Sequence, residues 1–231
     1  MNIANNIAHI RTQMEQAALA AGRDPKDILL CAATKMNDAE AVRQAIAAGV
    51  DCCGENRVQE LTAKLAENAY TGKPVHFIGH LQTNKVRQVV GKVDLIQSVD
   101  SVRLLQAISK EAERQGIRQD ILLEVNIAAE ESKSGFTPRE LTEVLENLAQ
   151  FPGVFVRGLM AIPPICQKKT DNHKFFQEMY NLSVDITAKK YDNVRVDVLS
   201  MGMSGDFEDA IACGCTMIRL GTAIFGQRNY Q

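Results

Sequence analysis

One lysine stands where the sequence changes character. Residues Ile28 to Ala33 form an apolar run, the pattern of a fully buried strand, and charge arrives abruptly at Lys35. A polar turn at Asn37 and Asp38 then opens a helical pattern. Strict alternation puts Leu29, Cys31, Ala33 and Lys35 on one face. A primary amine at the rim of an apolar wall has two readings. It is a strand-end lysine reaching solvent, or an amine of lowered pKa that forms a Schiff base with a carbonyl compound.

Other chemically equipped residues recur where later strands end. Gly54, Glu55 and Asn56 close one strand, and His76 lies on the next, followed by Gly79, His80 and Gln82. Glu124 and Asn126 share a face and precede Lys133, Ser134 and Gly135. Arg219 shares a face with Gly221, and Thr222 follows. Each has a plainer alternative: glycines that make turns, a satisfied polar pair at Glu124 and Asn126, a hydrogen-bonded core histidine at His76, and packing roles for Met160, Met201 and Met203. The segment Ser200 to Gly205 is rich in small and hydroxyl residues and runs into a helix start. Free amides and serine hydroxyls there suit an anion, although Asp206 and Glu208 in the first turn weaken that reading.

The elements that must position these residues alternate regularly. The spacing of Ile3, Ile7, Ile10 and Met14 predicts an amphipathic helix over 3–21. Strands are expected at 28–33, 50–53, 75–78, 94–99, 121–127, 154–162, 194–200 and 216–225. Helices fill 39–48, 58–68, 84–90, 101–115, 138–149, 172–189 and 206–213. Eight βα units predict a single-domain α/β fold, a (β/α)8 TIM barrel with an extra N-terminal helix; an open doubly wound sheet is the alternative. No helix is expected after the last strand, so the leading helix is expected to cover the seam.

In such a barrel the strands' C-terminal ends share one face. Lys35, on the first strand, then neighbours the loops after strands seven and eight, where barrels commonly seat phosphate. A ligand spanning both carries an aldehyde and a phosphate, and pyridoxal 5'-phosphate has both. Arg219 is expected to face its ring nitrogen or its phosphate; beside the nitrogen it would keep the ring unprotonated.

The chain's 231 residues suit one barrel, and a net charge of -2 gives no bulk attraction for nucleic acid or anionic membrane. No apolar run is long enough for a transmembrane helix, and the N-terminus lacks a secretory pattern, so a cytoplasmic protein is expected. Cys31, Cys52, Cys53, Cys166, Cys213 and Cys215 form no Cys-x-x-Cys pair and the histidines are scattered, so reduced, mostly buried thiols are expected and no metal. Balanced charge predicts a monomer.

The motifs Ala33–Lys35, Gly54–Glu60, His76–Gly79 with Leu81–Lys85, Glu124–Ile127, Ser132–Gly135, Arg157–Pro163, Leu199–Ser204 and Arg219–Gly226 together resemble the pyridoxal phosphate homeostasis protein family. The resemblance runs from the first strand to the last. It implies a barrel like the N-terminal domain of alanine racemase, with the cofactor held as a Schiff base on Lys35. It implies that Asn56, Ser200, Ser204, Arg219, Gly221 and Thr222 seat ring and phosphate, with His76 a further candidate. It implies cofactor carriage and buffering that influence amino-acid and keto-acid metabolism without an established turnover, with apo-enzymes that receive the cofactor as partners. The alternative is an amino-acid racemase. Its second acid/base is a tyrosine on a further domain of a partner chain, whereas Tyr70, Tyr180, Tyr191 and Tyr230 lie in expected helices or tails. The chain departs from the family at Met36, Asn37 and His80, which bears on loop shape at the rim.

Overall fold

Helix α1 (Ile3–Ala20) turns Ile7, Ile10, Met14 and Ala18 inward, as its sequence period requires. It packs against α2 (Ala39–Ala47), α7 (Phe207–Ala212) and α8 (Thr222–Phe225), and so lies over the join between first and last strands. Asn6 Nδ2 donates to the Ile224 carbonyl, and Arg11 reaches the Gly49 carbonyl and the Asp51 carboxylate. The computed structural model describes residues 2–130, 133–164 and 172–226; Ser132, Cys166 and Tyr230 lie outside them.

Eight parallel strands close into a barrel in sequence order. They are β1 (Leu29–Ala33), β2 (Cys52–Glu55), β3 (Val75–Phe77), β4 (Leu95–Val99), β5 (Gln119–Glu124), β6 (Val154–Met160), β7 (Val194–Ser200) and β8 (Met217–Leu220). Between them run α2, α3 (Val58–Ala66), a 3-10 helix (Thr83–Gln88), α4 (Val102–Gln115), α5 (Pro138–Glu146), α6 (His173–Lys189) and α7. Local chemistry starts and stops them. Asp38 and Ser101 cap α2 and α4 through Ala41 and Leu104 amides, and Gly116 ends α4 in the left-handed region. Thr137 at the cap and Glu140 in the first turn form a reciprocal box that spans Pro138.

Alternation divides the core in two. Cys31, Cys52, Leu95, Leu122, Met160, Val198 and Met217 fill the barrel interior, and a larger cluster lies between strands and helices. Among the described residues no helix is long and apolar enough to cross a membrane.

Three expectations are corrected. The stretch 216–225 is not one strand: β8 stops at Leu220, Gly221 caps a turn, and α8 follows. The segment 84–90 winds as a 3-10 helix rather than an α-helix. Strand β5 ends at Glu124, so Asn126 belongs to the next loop. Its side chain bonds the Glu130 and Lys133 carbonyls and the Glu130 amide.

Candidate functional site

At the C-terminal mouth of the barrel, beside β1 and β8, lies a cavity of about 290 Å³. Lys35, Asn56, Ser204, Arg219, Gly221 and Thr222 line it, with Ala33, Ile78, Ile162, Met203 and Gly205. Two cations and two hydroxyls therefore converge, with no carboxylate among the described residues of the lining. A second cavity, of about 490 Å³, sits by α5; among the described residues its lining has Asp100, Glu140 and Glu143 and no cation, so it repels a phosphate.

Each wall has a local cause. Lys35 follows Ala33 by two residues and takes the same parity, with the next residue, Met36, in the left-handed region at φ 62°. Asn56 is held by close backbone approach: a Cβ at Gly79 would sit 2.2 Å from the Asn56 carbonyl oxygen. The turn after β7 is fixed by Asp206, whose Oδ1 accepts the Met203 amide at 2.7 Å and whose Oδ2 accepts from Asn172. That carboxylate is thus spent away from the cavity, and the turn presents Ser204 and Gly205 to it. The Thr222 hydroxyl, opening α8, lies 3.2 Å from the Ser204 hydroxyl.

Two observations fit a ligand carrying a phosphate and polar ring atoms. The Asn56 side-chain oxygen is buried with no hydrogen-bond partner among the described residues, a cost a bound donor would relieve. Gly205 and Gly221 have no positive φ, and a Cβ on them would meet nothing within 4 Å or only ordinary contacts of 3.4 Å and beyond. Neither glycine is required by the chain's own packing, and both leave open the space where a ligand's backbone contacts would be made.

Ser200 and His76 are not in the lining. Both lie in the layer beneath, in a chain of hydrogen bonds that crosses the barrel. Arg219, buried, donates to the Ser200 hydroxyl at 2.7 Å and to the Ala161 carbonyl at 2.9 Å. Burial pulls its pKa below the ordinary arginine value, with nearby acids and thiols opposing. Ser200 donates to Gln97 Oε1 at 2.7 Å, and the Gln97 amide nitrogen lies 2.8 Å from His76 Nδ1 and 3.2 Å from Met217 Sδ. A thioether only accepts, so the amide nitrogen belongs at that end. His76 Nδ1 is then an unprotonated acceptor, and the ring proton sits on the other nitrogen. Gln97 is a residue that reading motifs misses; its one signal is an amide sharing the inward parity of Leu95 in an apolar strand.

The barrel also gathers Cys31, Cys52 and His76, whose ligand atoms lie within 4.8 Å of one another. The sequence separates them, so this grouping is visible only in the fold. With one imidazole nitrogen accepting from Gln97 and the other protonated, His76 keeps no lone pair for a metal. Within the cluster a hydrogen bond from Cys52, opposed by burial and aided by one from His76, pulls the Cys31 thiol below its ordinary value, while the same contact and burial push the Cys52 thiol up. Glu124, on β5, moves the other way; burial, aided by Asp100, raises its carboxyl to about 7, with Arg219 and His80 opposing.

Comparison with known proteins agrees with the barrel fold. Residues 2–229 match the family described as alanine racemase, N-terminal domain. The chain is 40% identical over 228 residues to a Pseudomonas aeruginosa protein named pyridoxal phosphate homeostasis protein, covering 99% of this chain and 96% of that one. It is 40% identical over 230 residues to a protein of the same name from Aquifex aeolicus, covering all of both. PipY of Synechococcus elongatus, solved with PLP bound, is 34% identical with a TM-score of 0.83, covering 97% of this chain and 100% of that one. Alanine racemase of Clostridium difficile shares the fold at 14% identity and a TM-score of 0.74, covering 98% of this chain but 58% of the racemase. By full-length identity to its curated relatives, the chain belongs to the pyridoxal phosphate homeostasis protein family.

Proposed function

We propose that this protein binds pyridoxal 5'-phosphate in the cavity at the mouth of β1 and β8 and holds it on Lys35, as a carrier that takes part in cofactor homeostasis. The observation that carries the reading is one cavity shared by the Lys35 amine, the Ser204 and Thr222 hydroxyls and the Arg219 guanidinium. The bound PLP of PipY supports it. The cofactor supplies an aldehyde, which a primary amine captures as a Schiff base with loss of one water.

The chain's own residues divide the work. Lys35 supplies the amine. Ser204, Thr222 and the open backbone at Gly205 and Gly221 seat the phosphate. Arg219, held by Ser200 and the Ala161 carbonyl, presents its remaining donor edge to the ring, where a permanent cation favours an unprotonated ring nitrogen. Asn56 offers its unpaired oxygen to a donor on the ligand. Ser200 and His76 act from beneath, through Arg219 and Gln97.

Partners are apo-enzymes that take up the cofactor, and the setting is the cytoplasm; buried free thiols at Cys31, Cys52, Cys53, Cys213 and Cys215 suit a reducing compartment. A monomer suits exposed apolar side chains spread over α1, α4, α6 and the rim. The racemase alternative needs a second acid/base across the substrate carbon. Among the described residues no tyrosine lines the cavity, and Tyr70 is buried against Glu55 on the outer side of the barrel wall.

Titrating apo-protein with pyridoxal 5'-phosphate and with pyridoxal tests the phosphate seat. The phosphorylated form should bind at least about tenfold more tightly, and a Ser204→Ala/Thr222→Val variant should lose most of that advantage. Equal binding of the two forms, or an unchanged ratio in the variant, contradicts the assignment.

A further inference from the structure

We infer that Glu55, Glu60 and Lys64 form a clamp behind β1 that fixes the backbone on both sides of Lys35, making them positioning residues for its amine. The inference rests on the proposed linkage of the cofactor to Lys35.

Each residue from 34 to 36 has a backbone group held by a side chain. Lys64 Nζ donates to the Thr34 carbonyl at 2.8 Å. Asn37 Nδ2 donates to the Lys35 carbonyl at 3.0 Å. The Met36 amide donates to Glu60 Oε2 at 2.6 Å. The Thr34 hydroxyl is bound as well, donating to Glu55 Oε1. Met36 needs such a grip, because its left-handed φ of 62° is strained for a residue other than glycine.

The clamp is expensive to build. Glu55 is wholly buried and Lys64 nearly so, with their charged atoms 2.5 Å apart. Glu55 Oε1 also accepts from Tyr70 at 3.0 Å, whereas Oε2 has no partner among the described residues. Burial and the Glu55 charge push the Tyr70 hydroxyl up, so it stays a donor. An apolar group of similar volume commonly stabilises a fold as well as a buried ion pair does. Stability therefore does not account for the arrangement, and position does. Parity sets the division: Ala33 and Lys35 face the cavity, and Thr34 and Glu55 face α3. None of the three clamp residues lines the cavity, so they act only through the lysine's backbone. Lysine's side chain is long and flexible, so the placement of its backbone limits how often the amine meets the aldehyde.

Two variants test this. Glu55→Gln/Lys64→Met removes both charges at similar volume. Glu60→Ala, at a partly exposed position, releases the Met36 amide together with the longer pairs from Glu60 to Lys64 and Arg57. Apo-protein is mixed with pyridoxal 5'-phosphate, and growth of the visible absorption band is followed across cofactor concentrations. The rate at saturation should fall about tenfold in each variant, while the half-saturating concentration stays within about twofold and the apo melting temperature is kept. Arg139→Ala, which breaks an exposed pair with Glu143, should change neither. Variants that melt like the wild type and react at its rate overturn the clamp, as does a fall in affinity with an unchanged saturating rate. If the double variant does not fold, Glu60→Ala decides alone. A wild-type protein that forms no band overturns the reading of Lys35, and the clamp with it.

Discussion

Lys35 reaches the cavity because alternation along β1 turns it the way of Ala33, and the sequence shows that parity directly. Asn56, Ser204, Arg219, Gly221 and Thr222 were legible for the same reason: each sits at or just past a strand's C-terminal end. Depth was not legible. Ser200 shares Arg219's inward direction but lies a layer lower, and only the coordinates show that the guanidinium stands between it and the cavity. The sequence leaves a satisfied Glu124–Asn126 pair open as the plainer alternative, but Asn126 is spent on its loop, and burial raises the Glu124 carboxyl to about 7. A carboxyl raised in the fold contributes stability below its ordinary value of 4.5 that is lost as pH climbs through about 7. Glu124→Gln should therefore match the wild type in chemical denaturation near pH 4 and exceed it near pH 8. The rise from 4.5 to about 7 bounds the gain on the order of 3 kcal/mol. An equal difference at both pH values would show that the carboxyl is not perturbed.

At the scale of elements, two close approaches shape the mouth, and they differ in kind. Gly79 is required by the chain itself, since a Cβ would enter the Asn56 carbonyl. Gly221 is not, since a Cβ there makes only contacts of 3.4 and 3.5 Å with Ala33. Gly79→Ala should cost about 1–3 kcal/mol in the apo-protein by forcing the backbone apart. Gly221→Ala should leave apo stability within about 0.5 kcal/mol yet weaken cofactor retention. Urea melts of the apo-proteins and dialysis of the loaded forms separate the two; Gly221→Ala with full retention would remove the reason for its glycine. The same glycine explains why the last strand was misjudged. A stretch of ten residues with Met217, Ile218, Leu220, Ala223, Ile224 and Phe225 reads as one strand by hydrophobicity, and a short buried helix carries the same signal. A helix over 84–90 is legible, but its 3-10 form over Thr83–Gln88 is not, since six residues are too few to separate helical periods.

For the whole molecule, closure of the barrel is what brings the first strand beside the last two. Strand β1 pairs with β8 through Cys31 and Arg219, so the amine-bearing strand and the arginine-bearing strand are hydrogen-bonded neighbours. Helix α1 seals that join, as expected from its position ahead of β1, although α8 shares the task. The eightfold alternation made the barrel legible, whereas the transverse chain from Arg219 through Gln97 to His76 needs the barrel's diameter and could not be read from spacing. Sedimentation should give a single species near 25.4 kDa, and a dimer would contradict the monomer reading.

The most direct test is the absorption spectrum of the protein as isolated, before and after borohydride, with Lys35→Ala alongside. The account predicts a visible band that borohydride bleaches, with the reduced cofactor mass found on the peptide containing Lys35, and no band in the variant. A colourless wild type, or a Lys35→Ala protein that keeps the band, would contradict it.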